Sequence, residues 1–253
     1  MADTTFLQAD LRERAETDKR LSPLLLLLPV AGVLVLAVTV GLLFAVMAAL
    51  ETAVGAGPPE AMMGLMAVAM IVVGLAAAVL PLYIIYHLVN RRDRHFRRVA
   101  RLAEDATVYL RARAEEEGAD LTEQIARLEE LGRELRERAT PRGAVLWTLL
   151  CFLVGLLPYL VLAYVLMDDY RQHERLEGEL TGRLAEGFRA LGTEARLPFS
   201  AQMRARSFWL YALATLVTAG LFWVWWVYVL MVEPNRHFDA QARWEEALGA
   251  LAR

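Results

Sequence analysis

Hydrophobic residues in this chain are bunched rather than spaced. Four runs without Asp, Glu, Lys or Arg, Leu21 to Leu50, Ala61 to Asn90, Ala144 to Met167 and Phe208 to Val232, alternate with blocks dense in charge. The last run holds 25 residues, and at about 1.5 Å per residue it reaches roughly 37 Å, enough to cross a hydrocarbon core of about 30 Å. Aromatic residues gather toward both of its ends, Phe208, Trp209 and Tyr211 at one and Trp223, Trp225, Trp226 and Tyr228 at the other, as expected where amphipathic rings settle at headgroup level. The pattern predicts an all-α, polytopic integral membrane protein. Its four transmembrane helices comprise a pair within 21–90 and single helices at 143–167 and 207–232. The first run is too long for the apolar region of a signal peptide, and its leader is too acidic.

The polar blocks carry helical patterns of their own. Residues 1–20 form an amphipathic N-terminal tail, and 233–253 an amphipathic C-terminal helix. Residues 91–142 read as a helical hairpin interrupted at Gly118, whose second arm opens on Asp120 three residues before Glu123, a capping pattern. Leu121, Ile125, Leu128, Leu131 and Leu135 recur at spacings of 4, 3, 3 and 4, which lines them along one helix side as an apolar seam. The seam is expected to pack on the hairpin's own first helix, with a partner chain as the alternative. Residues 168–206 form an amphipathic loop weakened by Gly178, Gly182, Gly187 and Gly192. In the second run Gly74 and Ala78 form a small-xxx-small pair that would let another helix approach.

Charge sets orientation more than partner class. The net charge of −3 argues against nucleic acid. Lys and Arg number 4 in the N-terminal tail, 0 in the first loop, 13 in the second, 7 in the third and 3 in the C-terminal tail. Four crossings then place both termini on the cytoplasmic side of the cell membrane. The third loop strains this scheme, because its seven Arg would lie outside. The alternative bends the third run near Gly155 and Pro158 and the fourth near Gly220 into hairpins, leaving every polar block cytoplasmic. A lipid-exposed turn costs several kcal/mol per unpaired backbone group and needs protein or water around it.

An internal repeat crosses these boundaries. Tyr86, Tyr164 and Tyr228 are each followed nine residues later by a histidine, His95, His173 and His237, where an apolar run becomes polar. Nine residues are about two and a half helical turns, so each His lies beyond its Tyr and on the opposite face. These histidines are expected to cap or cross-link the polar extensions, with a metal or a headgroup phosphate as the sharper alternative. His173 and Glu174 open HERLE, which departs from the zinc-protease pattern because Glu177 stands in place of its second His. Asp168 and Asp169 read as the end of a span rather than a carboxylate pair. His87 is the one histidine placed for a ligand within a span, and Cys151 is the single cysteine. No catalytic residue, cofactor or metal ligand is assigned.

The fourth run also resembles domain of unknown function 4234, found in small prokaryotic membrane proteins, through Leu216, Val217, Thr218, Gly220, Phe222, Trp226, Tyr228 and Asn235. Gly155 and Tyr164 in the third run look like a degenerate copy. The resemblance implies a membrane location and no activity. The expected function is a non-enzymatic membrane scaffold or accessory subunit, self-associating as a homo-oligomer or docking to a larger membrane complex. The alternatives are membrane shaping or lipid binding, with anionic headgroups as partners, and an oligomeric pore.

Overall fold

The computed structural model describes residues 4–54 and 60–252. The fold is all-α. Among the described residues the helices are α1 (Thr5–Thr17), α2 (Leu27–Val54), α3 (Glu60–Glu117), α4 (Thr122–Arg138), α5 (Ala144–Val154), α6 (Leu156–Ala190), α7 (Phe208–Val217) and α8 (Leu221–Leu251).

One described stretch, Pro23–Ala53, is long and apolar enough to cross a membrane by length and composition. The second apolar run has no end of its own and continues through Pro81 into the polar half of α3, a helix of 58 residues. The third and fourth runs depart from the expected crossings at 143–167 and 207–232, because each is cut in two. Gly155, at φ 84° and ψ −132°, occupies backbone space that a Cβ closes to other residues, and it separates α5 from α6. Between α7 and α8 the chain turns through Ala219 at φ 50° and Gly220 at φ 92°. There the Thr218 hydroxyl donates to the Ala214 carbonyl at 2.8 Å and accepts the Phe222 N–H at 2.9 Å. The Thr, Gly and Phe of the family-like motif thus build a turn.

Both pairs of arms fold back on themselves. Arg142 grips Asp169, 27 residues later, through two hydrogen bonds of 2.7 and 2.9 Å. Arg206 pairs with Glu233, also 27 residues on. The Tyr211 and Trp226 rings lie 5.3 Å apart, whereas straight helix would separate those positions by about 22 Å. Inbound arms of 11 and 10 residues reach only about 15 Å. Leu153, Leu216 and Leu221, near the two bends, are 74 %, 76 % and 78 % exposed.

The polar halves of α3, α6 and α8 pack with α1 and α4 around a core that includes Leu102, Leu110, Leu180 and Trp244. The seam of Leu121, Ile125, Leu128, Leu131 and Leu135 is buried against α3 and α6 of the same chain, so it offers no surface to a partner. The expected loop 168–206 is helical up to Ala190. Two of its four glycines are sites of close approach: a Cβ on Gly178 would lie 2.8 Å from the Phe199 ring, and one on Gly187 2.4 Å from Leu110, whereas Gly182 and Gly192 have open space. Gly74 has no side chain near it, as an added Cβ would meet nothing within 4 Å. The surroundings of Ala78 lie outside the described residues.

A polar seam ties the halves together. Arg91 donates to the Leu230 and Met231 carbonyls and to Asn235 Oδ1. Asn235 also bonds both backbone groups of Leu21, at 3.1 and 2.8 Å.

Candidate functional site

Arg91, Asp169 and Glu233 mark the same level on α3, α6 and α8, and one turn further along stand His95, His173 and His237. Tyr86 and Tyr164 face outward and Tyr228 is half-buried, while the three histidines point inward and are 0 %, 0 % and 1 % exposed. The structure brings these histidines side by side, with ring centroids 5.1 to 6.1 Å apart. Glu177 follows His173 by four residues, hence on the same helix face, and is fully buried beside them.

The outer hydrogen bonds fix which nitrogens look inward. His95 Nδ1 lies 2.9 Å from Asp18 Oδ1, and His237 Nδ1 lies 3.1 Å from Glu174 Oε1. Asp18 also accepts from Arg98 at 2.8 Å and from the Thr17 hydroxyl at 2.9 Å. Glu174 also accepts the backbone N–H groups of Gln202 and Met203 at 2.7 and 2.9 Å. Burial opposes ionisation of both acids, but His95 and Arg98 at Asp18, and His237 and the two amides at Glu174, hold their pKa values below the usual carboxylate range. Ionised carboxylates only accept, so both Nδ1 atoms donate. In neutral rings the Nε2 lone pairs of His95 and His237 then face each other across 3.3 Å. Two acceptors at that distance repel unless one of them carries a proton or a cation lies between or beside them.

The remaining members touch the cluster without hydrogen-bonding to it: Glu177 lies 3.2 Å from His237 Nε2 and 3.4 Å from His173 Nε2. Both nitrogens of His173 and both carboxylate oxygens of Glu177 are buried without a hydrogen bond, a state that costs about 1–3 kcal/mol per group and more for a charge. His173 stacks on Phe96 at 3.8 Å, which sets its ring plane but satisfies neither nitrogen. Burial pushes His95 down to about 4, His173 well below its ordinary value and Glu177 up. Burial also works against charge on His237, but Glu177 and Glu174 outweigh it and raise its pKa. The outer ring continues through Arg98, which bonds Glu245 at 2.8 Å. Burial lifts Glu245 to about 7 even so.

His95, His173, His237 and Glu177 offer ligand atoms that all lie within 4.8 Å of one another. They could therefore hold one metal ion. None of the four is assigned a ligand role by the sequence, because the ligands come from three helices and the HERLE match fails at the position where Glu177 stands. The signal that was present is the shared Tyr-to-His interval, combined with the four-residue step from His173 to Glu177. His87 lies apart, its ring against Tyr83 and Tyr86. Asp168 and Asp169 point to separate partners, Arg171 and Arg142. No family model, curated protein or solved structure matches this chain significantly.

Proposed function

We propose that this chain is a multi-pass membrane protein that enters the bilayer from one face and shapes it by filling one leaflet more than the other. The observation that carries the reading is the pair of hairpins closed by Arg142–Asp169 and Arg206–Glu233. Arms of about 15 Å stop near the middle of a hydrocarbon core of about 30 Å. With α2 and the apolar half of α3 crossing and returning, six helical arms occupy the near leaflet and two the far one. An insertion so unequal favours curvature toward the crowded side.

The same arrangement puts the tails, the polar bundle and the seven Arg of the third loop on one side, in keeping with the positive-inside bias, so that side is cytoplasmic. Beside the hairpin exits a groove of about 110 Å³ is lined in part by Tyr164, Asp168, Arg171, Arg204 and Arg206; Arg171 and Arg206 pair with Asp168 and Glu233, which leaves Arg204 as the cation best placed for an anionic headgroup. Docking to a partner is the weaker reading, because the leucine seam is consumed inside the bundle. No residue is assigned a catalytic step.

Single cysteines in a Cys151→Ala background test the topology with an impermeant thiol reagent on intact cells. Glu60→Cys is expected to label from outside, and Glu194→Cys only after lysis. Labelling of Glu194→Cys from outside overturns the reading. Reconstitution into uniform vesicles containing anionic lipid tests shaping itself: vesicles are expected to narrow or tubulate with rising protein content, and unchanged vesicles would return the scaffold to first place.

A further inference from the structure

We infer that His95, His173, His237 and Glu177 form a closed metal centre for a divalent ion of the zinc class, which clamps together the three helices leaving the membrane. Three distances carry the geometry. His95 Nε2 to His237 Nε2 is 3.3 Å, His237 Nε2 to Glu177 Oε2 is 3.2 Å, and His173 Nε2 to Glu177 Oε1 is 3.4 Å. A tetrahedral ion with bonds of about 2.0–2.1 Å has edges of about 3.3 Å. The two edges to Glu177 run to different carboxylate oxygens, so with one oxygen bound two of the six edges are already at that length, and the others, up to 4.8 Å, close with side-chain adjustment.

The surroundings are those of a ligand shell. Metal-bound imidazoles commonly donate their outer N–H to a carboxylate or carbonyl, which fixes the tautomer and strengthens the ligand. Asp18 does this for His95 and Glu174 for His237. A cation in the centre removes the lone-pair opposition of His95 and His237 and satisfies His173 Nε2 and Glu177, which make no hydrogen bond there. The side chains of Asp18, Glu174, Glu177 and Glu245 are buried around the cluster, with Arg98 paired to Asp18 and Glu245 and the part-exposed Arg14 3.8 Å from Glu245.

The donor set selects the class of metal. Three imidazoles favour a borderline transition ion over Mg²⁺ or Ca²⁺, and the absence of sulfur disfavours Cu⁺. All four protein ligands are buried, which leaves no position for water or substrate, so the centre is structural. Its consequence is mechanical, because one ion joins α3, α6 and α8 one turn beyond their boundary level.

The test uses the full chain in detergent. Protein stripped with chelator and dialysed is titrated with Zn²⁺ and with Co²⁺, with metal content, the Co²⁺ visible spectrum and melting temperature as readouts. One ion per chain is expected, with the intense absorption of four-coordinate Co²⁺ and a rise in melting temperature on loading. Glu177→Gln and His173→Gln should each lose stoichiometric binding, and Glu174→Gln should weaken it about 10–100-fold. His87→Gln should bind as the parent does. Should a variant fail to fold, the parent decides alone. A stripped parent whose melting temperature does not respond to metal, or one binding equally well without Glu177 and His173, overturns the inference and leaves a cluster held by a proton on His237.

Discussion

The two halves of α3, α6 and α8 invert the usual relation between residue type and exposure. In their apolar halves Leu75, Leu157 and Leu221 stand on the surface, whereas in their polar halves Arg92, His95, Arg98, Glu177 and Glu245 are buried. One continuous helix serves both regimes because a helix satisfies its own backbone wherever it lies. Only side chains must suit the solvent. In the apolar half leucines stand outward, the cheap position if that surface meets lipid, as proposed above. In the polar half charged groups go inside only with partners in place, and the pairs around Asp18 and Glu245 provide them.

That contrast can be broken most severely at Arg98. Arg98→Met strands Asp18 and Glu245 in the core, and removing one partner of a buried ion pair costs about 3–5 kcal/mol. Denaturant unfolding in detergent should show that loss. Next comes a matched pair of truncations. Leu131→Ala, in the buried seam, is expected to lose about 2–5 kcal/mol, while Leu153→Ala, on the exposed arm, should change detergent stability by less than about 0.5 kcal/mol. Equal losses would remove the distinction between the halves.

Gly155→Ala sharpens the same comparison through its sign. In a straight crossing helix the change would stabilise by about 1 kcal/mol. At φ 84° with open space around the new Cβ, it should instead destabilise by about 1–3 kcal/mol, through backbone strain alone. A stabilised variant would mean that the third run is a continuous helix. The smallest effect belongs to the surface of the bundle. Arg111→Ala breaks its exposed pair with Glu129 and should cost less than about 1 kcal/mol, shrinking further in salt.

These contrasts also explain what could be read beforehand. The seam was legible because Leu121 to Leu135 repeat at helical spacing, and the apolar runs because they lack charge. The bends were harder, since a glycine in an apolar run looks the same whether it lies in a crossing helix or turns the chain. Gly155 could be offered only as an alternative, and it took the Arg142–Asp169 pairing to close the arms. The interior of the polar half was least legible. Gly178 and Gly187 read as weakness although they admit Phe199 and Leu110. The ligand cluster draws on residues as far as 142 positions apart, an adjacency no local period encodes.

That separation has a consequence for the order in which the protein is made. His95 leaves the ribosome with α3, but His237 follows 142 residues later, a delay of roughly 7–28 s at about 5–20 residues per second. Asp18 and Arg98 are finished early and wait for Glu245, near the end of the chain. Until then the polar groups of α3 and α6 lack their partners on α8, and in the proposed topology the early helices are held at the membrane by their apolar halves. Closure of the histidine and ion-pair cluster therefore waits for α8, whereas α1, α3, α4 and α6 can pack on one another before it arrives.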